Sequence, residues 1–406
     1  MKILILTQYF PPEVGAPQNR LYELAIRLQK KGADITVLTA MPNYPQMEIH
    51  PQYKNLKYFY EEKEGLKIHR SSIYVSKNRS ILSRLRNYFS FVISSYRTGK
   101  NKLGDFDFIL CESPPLFLGI TAVWLSRRKK AKLIFNVSDL WPESAEKLGI
   151  VKNKFLLAIS YRLESWIYRN ASVITGQTQG IVKSIATRFP GKEPYWLPNG
   201  ADPEYYNASA ALSNWRNENG FSPEDFILLY AGIIGHAQGL EVILKAAENL
   251  LTNTRIKFVL LGNGPEKENL VDLKKKSNLA NIFFFDTVAK DKMPSILHSI
   301  NTSIIPLKKL ELFKGAIPSK IFESLAMKKP ILLGVDGEAK ELFIKDGKCG
   351  LFFEPENAND LSSNILQLFN DRVMLNLLGE NGRKYVSEKF NRDLIAEKFW
   401  DYLLQQ

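Results

Sequence analysis

Lys2-Ile-Leu-Ile-Leu-Thr7-Gln-Tyr-Phe-Pro-Pro-Glu13-Val-Gly15-Ala-Pro17 runs into Leu21, Leu24, Ala25 and Leu28, then Gly32, then Asp34-Ile-Thr-Val-Leu-Thr39. Ile3–Thr7 is an apolar, β-forming run and predicts a strand. Proline and glycine mark a loop around Gly15. The apolar residues from Leu21 recur at spacings of 3, 4 and 7, which predicts an amphipathic helix to Lys31. Gly32 ends it, and Asp34–Thr39 reads as the next strand. Strand, glycine loop, helix and strand open a doubly wound parallel sheet. Phe108–Cys111, Leu133–Val137 and Val173–Thr175 continue it.

The pattern breaks at Trp196-Leu-Pro-Asn-Gly200-Ala-Asp-Pro203 and then restarts. Phe226–Ala231 predicts a strand, Gly232–Gly239 a glycine loop and Leu240–Leu251 a helix. Ile256–Leu261, Phe283–Phe285, Thr302–Ile305 and Ile331–Gly334 are further strands. The tail from Leu375 to Leu404 reads as largely helical. The expected organisation is therefore two α/β domains in tandem, 1–200 and 201–385, followed by a helix, 386–406, that could pack back on the first domain. Two such domains imply a cleft lined by the loops that follow the strands.

Composition bounds the rest. The chain has 406 residues, 45% hydrophobic and 24% charged, enough to bury two cores. Apolar stretches such as Phe117–Leu125 fall short of the ~20 residues that span a bilayer. No leader is expected, because Met1 runs straight into a strand. Cys111 and Cys349 form neither a disulfide framework nor a zinc site and read as core residues. Residues 1–200 carry 30 Lys+Arg against 15 Asp+Glu, and residues 201–406 carry 25 against 27. The excess charge of +13 thus arises in the first half, which predicts a polyanionic partner there.

Arg79, Arg84, Arg86, Arg97, Lys100 and Lys102 surround an apolar, aromatic segment containing Tyr88 and Phe89. That pattern describes an interfacial helix on an anionic membrane. Nucleic acid is disfavoured, since no recognised binding motif appears. The alternative is that the aromatics are core and only the ends are solvated.

Gly15 sits in the first strand-to-helix loop, where glycine admits close backbone approach and a helix N-terminus favours anions. Gly232, Gly235, His236 and Gln238 form the equivalent loop of the second half, and Gly262 and Gly264 the next; each reads as a phosphate contact or a tight turn. Ser319, Lys320 and Glu323 open a helix, with Lys320 and Glu323 sharing a face. A cation there suits a phosphate and an acid suits paired hydroxyls, whereas the common meaning of the spacing is a surface ion pair. Asp139, Trp141 and Glu143 combine acids and an aromatic at a strand's end, a catalytic or sugar-binding pattern that also fits a helix cap. Asp105-Phe-Asp107 reads as a strand-entry turn rather than a metal site, and no histidine or cysteine shows ligand spacing.

Over nearly its full length the chain resembles retaining family 4 glycosyltransferases of the GT-B fold. The resemblance rests on the Gly15 loop, Pro198-Asn199-Gly200, Tyr230-Ala-Gly232 through Gln238-Gly239-Leu240, Leu261-Gly262-Asn-Gly264-Pro265, Met293-Pro294, Pro306, and Glu323 with Ala326 and Lys329-Pro330. Within that family it is similar to bacterial capsule and O-antigen transferases, including N-acetyl-L-fucosamine transferases, through Gln8-Tyr-Phe-Pro-Pro-Glu13, Pro42-Asn43-Tyr44-Pro45, Asp139-Leu-Trp-Pro-Glu-Ser144, Ala237-Gln238-Gly239-Leu240 and Pro318-Ser319-Lys320. It also departs from the family. Of two acids separated by seven residues only Glu323, the ribose-binding member, is present; Gly315 takes the other's place. The usual Arg and Lys of the glycine loop are Ile233 and Gln238, and a family histidine is Asp139.

The resemblance implies two Rossmann-like domains facing across a cleft and sugar transfer from a nucleoside diphosphate donor, with UDP the expected carrier. The acceptor would be a polyprenyl-diphosphate-linked glycan, and no metal or other cofactor is expected. Donor contacts would come from Gly15, Arg20, Gly232, Gly235, His236, Gln238, Gly262, Gly264, Ser319, Lys320 and Glu323. Asn43, Tyr44 and Trp141 would meet the acceptor, and Asp139, Glu143 and Lys320 would serve the chemistry. The protein would lie on the cytoplasmic face of the membrane, held by Arg84, Arg86, Tyr88, Phe89, Lys100 and Lys102. Two other readings fit the fold: a nucleotide-sugar 2-epimerase, and a non-catalytic binder of glycans or polyanions.

Overall fold

The computed structural model describes residues 1–13, 15–44, 46–78, 80–207 and 213–406. Val14, Pro45 and Arg79, which belong to the motifs and the basic run above, lie outside the described residues.

The chain divides into two compact units, Met1–Pro198 with Ile395–Gln406, and Asn199–Leu394. The first unit holds β1 (Lys2–Leu6), α1 (Ala16–Lys30), β2 (Asp34–Ala40), β3 (Tyr58–Lys63), β4 (Leu66–Ser71), α2 (Ile81–Lys102), β5 (Phe108–Ser113), α3 (Leu118–Lys129), β6 (Lys132–Val137), α4 (Glu143–Lys147), α5 (Lys154–Asn170), β7 (Val173–Gly176), α6 (Gln179–Arg188) and β8 (Tyr195–Trp196). Its eight strands run in the order β3-β4-β2-β1-β5-β6-β7-β8. All neighbours are parallel except β3, which pairs antiparallel with β4 at the edge.

The second unit holds α7 (Trp215–Glu218), β9 (Phe226–Ala231), α8 (Glu241–Asn249), β10 (Ile256–Leu261), α9 (Lys267–Lys276), β11 (Ile282–Phe285), α10 (Met293–Ser299), β12 (Thr302–Pro306), α11 (Lys320–Ala326), β13 (Ile331–Gly334), α12 (Glu338–Lys340), β14 (Gly350–Phe352), α13 (Ala358–Asn370) and α14 (Arg372–Lys389). Its parallel sheet runs β11-β10-β9-β12-β13-β14. The helix α15 (Arg392–Leu404) begins in this unit and continues into the first. The tail is largely helical, as expected, in two helices, α14 and α15, separated at Phe390–Asn391.

The inner strands of both sheets are buried on each face, which is why they read as continuous apolar runs. On one face of the first sheet, Phe91, Ala122, Leu125, Ile167 and Ile185 close the core from α2, α3, α5 and α6. On the other, Leu21, Ala25 and Leu28 of α1 pack with Ala396, Phe399 and Leu403 of α15. Burying each large side chain of this kind stabilises by roughly 1.5–3 kcal/mol. Caps set the helix starts: Asn153 accepts the N–H groups of Phe155 and Leu156 to begin α5, and Thr178 accepts Ile181 N–H to begin α6. Cys111 and Cys349 are both free and buried.

Candidate active site

Ligands of doubly wound sheets sit at the carboxyl ends of the strands, where the strand order reverses. In the second unit that point lies between β9 and β12. β9 ends at Ala231, and Gly232 follows with φ +143°, a region that favours glycine. A Cβ on Gly232 would lie 2.9 Å from Lys320 Nζ, so Lys320 reaches from the start of α11 across the end of β9. Its ammonium stands 3.8 Å from the centre of the Tyr230 ring. Lys320 is half-buried as a residue, but its charged end is desolvated; burial lowers its pKa to about 7, against the pull of Glu323. It has no hydrogen-bond acceptor among the described residues, so the surface ion pair with Glu323 does not form.

Glu323 follows one turn later. Burial raises its pKa, opposed by Arg392, then the Tyr206 hydroxyl, Lys290 and Lys320. The end of α11 nearest β9 therefore presents one acid amid several cations. Ser319 precedes the helix and makes no side-chain cap.

The glycine loops after β9 and β10 clasp each other. Ile234 N–H donates to Asn263 O at 2.9 Å. A Cβ on Gly262, at φ +150°, would collide with the Gly232 carbonyl, and one on Gly264 with Ile234 O. These two glycines permit that approach of backbones. Gly235 lies beside Gln238, whose Oε1 would stand 2.9 Å from a Cβ added at Gly235. His236 is exposed and turned to Lys308, whose Nζ lies 2.8 Å from its Nε2. Ile233, in the place of the family's arginine, is 55% exposed.

In the first unit the reversal lies between β1 and β5. Arg20, on α1, donates from Nη2 to Glu112 Oε1 at 2.5 Å and to Ser138 Oγ at 2.7 Å. Glu112, at the end of β5, also accepts from Asn136, which in turn accepts from Thr175 at 2.5 Å. This buried chain ties the ends of β5, β6 and β7 together. Arg20 Nε and Nη1 are buried without a partner in it. Gly15 has extended backbone that any residue adopts.

Glu13 is 2% exposed and accepts three backbone N–H groups: Phe10 at 3.2 Å, and Asn43 and Tyr44 at 2.8 Å each. It thereby fixes the Gly15 loop to the loop after β2. Asn43 is fully buried, and its Nδ2 donates to Met41 O, so it shapes this loop from inside. Tyr44 is half-buried, edge-on to Tyr9 with ring centres 5.7 Å apart. Trp141 packs edge-on to Phe117 at 5.8 Å.

Asp139 follows β6 and accepts from Ser144 Oγ; burial raises its pKa, and the Ser144 and Leu140 hydrogen bonds oppose that. Glu143 pairs with Lys147 at 2.6 Å across one helical turn. Asp107 accepts Lys2 N–H at 2.7 Å, the strand-entry role. Among the described residues no three His, Cys, Asp or Glu side chains are grouped to hold a metal ion.

Arg84, Arg86, Phe89 and Lys100 are exposed on α2. Lys102 is exposed too, its ammonium 4.6 Å from the Tyr58 ring. Tyr88 is turned inward, stacked on Phe117 at 5.7 Å. Tyr206, Arg392, Lys290, Glu13 and Glu112 were not singled out for these positions. The first three act on Glu323 from distant parts of the chain, which no local spacing reveals.

Residues 213–385 match the family model "Glycosyl transferases group 1", and residues 15–200 match "Glycosyl transferase 4-like domain". The chain is 25% identical to the putative colanic acid biosynthesis glycosyl transferase WcaI of Escherichia coli K12, over 98% of each chain. It is 22% identical to the O-antigen chain mannosyltransferase C of Escherichia coli, over 98% of this chain and 97% of that one. In fold it is similar to a sucrose-phosphate synthase from Thermosynechococcus elongatus, with TM-score 0.78, 16% identity and coverage of 100% and 98%. Anabaena HepE in complex with UDP and glucose gives TM-score 0.75 at 17% identity, with both chains fully covered.

Proposed function

Since the chain belongs to the family 4 glycosyltransferases and has the GT-B fold, we propose that it transfers a sugar from a UDP-linked donor to a lipid-linked glycan in capsule or O-antigen synthesis. The observation that carries this reading is the reach of Lys320 across Gly232, with Glu323 one turn further on. A diphosphate needs a cation in a partly dry site. Lys320 supplies it where Ile233 and Gln238 do not. Glu323 accepts the ribose hydroxyls, and Lys290 and Arg392 balance its charge. The named functions of WcaI and mannosyltransferase C support the pathway, and the UDP bound by HepE supports the donor.

In the reaction, the bond from the sugar's anomeric carbon to the diphosphate breaks, and its electron pair leaves on the phosphate oxygen. Lys320 stabilises that charge by the preorganised electrostatics that lower such barriers. The acceptor oxygen bonds to the same face of the sugar, and its proton passes to the departing diphosphate oxygen. Asp139, partly desolvated at the end of β6, is the residue assigned to the sugar or acceptor hydroxyl. The acceptor's lipid stays in an anionic bilayer against α2, whose exposed Arg86 and Lys100 face it; Arg84 and Lys102, also expected there, lie on the opposite side of the helix.

The test is mass spectrometry of the protein incubated with a panel of nucleotide sugars and a membrane extract carrying polyprenyl-linked glycans. A glycan gaining one sugar residue supports transfer. An epimerised nucleotide sugar formed without acceptor would replace it with 2-epimerase activity, and absence of nucleotide binding would leave a non-catalytic binder.

A further inference from the structure

Three neighbouring helices cover one face of the first sheet. α2 packs on α3, and α3 packs on α5. α2 and α3 contain no Asp or Glu, and the single acid of α5, Glu164, is buried in a bidentate pair with Arg188, 2.8 Å for each bond. On α2 the exposed residues Leu82, Arg86, Phe89, Ile93, Arg97 and Lys100 recur every three or four positions and form one stripe. α5 carries a second stripe: Phe155, 71% exposed, then Ile159, Arg162 and Arg169. Between the stripes, α3 exposes Trp124, Arg127 and Arg128.

A recess of about 410 Å³ on the outer side of α5 is lined by Tyr161, Arg162, Ser165, Trp166, Arg169 and Asn170. Arg162 and Arg169 are two turns apart on one face, ~10.5 Å along the axis, and their side chains can converge on one anion. Neither guanidinium has a partner among the described residues. At the rim Tyr161 hydroxyl already donates to Glu146 Oε2 at 2.6 Å, and Arg127 Nη2 donates to Asn170 Oδ1 at 2.6 Å.

We propose that this recess binds the phosphate of an anionic phospholipid headgroup, and that α5 is a second bilayer contact beside α2. The inference rests on the reading that the first unit works at an anionic membrane. The charge is complementary, and the apolar residues decide which polyanion fits. Phe155 and Ile159, exposed on the turns just before Arg162, would enter the boundary between headgroups and acyl chains, as interfacial helices do. A nucleic-acid phosphate backbone offers apolar side chains no such place. Two contacts on separate helices also fix the protein's orientation on the bilayer, which a single helix leaves free to roll.

The experiment is co-sedimentation of the full chain with phosphatidylcholine vesicles, with and without phosphatidylglycerol. Arg162→Glu with Arg169→Glu should lower partition onto the phosphatidylglycerol vesicles by at least ~10-fold, with thermal stability and UDP affinity unchanged. Phe155→Ser with Ile159→Ser should lower it too. If the arginine variant binds like the wild type while Arg86→Glu with Lys100→Glu loses binding, the α5 site is refuted and the membrane reading stands. Failure of the wild type to bind phosphatidylglycerol vesicles sinks both. Equal dependence on Arg162 and Arg169 for glycerol 3-phosphate in solution, or for duplex DNA, would also overturn the lipid assignment.

Discussion

Lys320 Nζ lies 3.8 Å from the centre of the Tyr230 ring and reaches Gly232 at the end of β9, yet its pKa is only about 7. Such a lysine is partly discharged in the free protein at neutral pH. A bound diphosphate stabilises its charged form and raises its pKa. UDP binding at pH 8 should therefore take up a proton, and well below pH 7 it should not, because the lysine is already charged. As pH rises above about 7, UDP affinity should fall by up to tenfold per unit. Calorimetry in buffers of different ionisation enthalpy measures both effects. Lys320→Ala should cost ~10- to 100-fold in affinity and remove the proton uptake. Lys320→Arg should rescue only in part, since a planar guanidinium differs in shape from an ammonium. Proton uptake persisting in Lys320→Ala would assign it elsewhere.

Glu323 is expected to hold the ribose. Glu323→Ala should weaken UDP binding ~10-fold. A UDP analogue lacking both ribose hydroxyls should bind wild type and variant alike. A loss of equal size with that analogue would mean that Glu323 acts through the surrounding cations.

Gly262→Ala tests the clasp between the loops after β9 and β10. The substitution imposes an unfavourable φ and drives a methyl into the Gly232 carbonyl. Backbone strain alone is worth roughly 1–3 kcal/mol, so the melting temperature should drop by several degrees and nucleotide affinity should fall with it. An unchanged melting temperature would show that the loops can part.

Glu13→Ala removes the acceptor from three N–H groups in a nearly waterless site, and each such group costs ~1–3 kcal/mol. The first unit should be destabilised. UDP affinity, set by residues of the second unit, should stay within about twofold. Calorimetric unfolding followed by UDP titration separates the two outcomes.

Asp139→Asn keeps an oxygen for Ser144 but removes the charge. Turnover should fall ~100-fold or more if the carboxylate serves a reacting hydroxyl, with donor affinity little changed. Turnover within a few-fold of wild type would reduce Asp139 to the partner of Ser144.

Strands that lie inside the sheets were legible because burial on both faces makes them uniformly apolar; Phe226–Ala231 and Ile256–Leu261 coincide with β9 and β10. The edges were not. Tyr58-Phe-Tyr-Glu-Glu-Lys63 is largely exposed and carries three charges, so β3 shows no apolar run, and with β4 it forms an unforeseen hairpin. β8 and β14 span two and three residues, too short for periodicity to register. In the site, Lys320 and Glu323 could be paired on paper because one helix carries both. Tyr206, Lys290 and Arg392 come together only through tertiary folding. The Glu13 motif was visible as a string, but its meaning, a carboxylate gathering amides from two loops, depends on where β2 ends.

The order of synthesis acquires a cost from α15. Ala396, Phe399 and Leu403 belong to the core that α1 closes, yet the ribosome makes them after every residue of the second unit. The first unit, though translated first, must wait with that face open while about two hundred more residues emerge, ~10–40 s at elongation rates of about 5–20 residues per second. During that interval the exposed apolar face is a natural client for a chaperone, and a nonsense mutation near Ile395 would strand the nascent protein there.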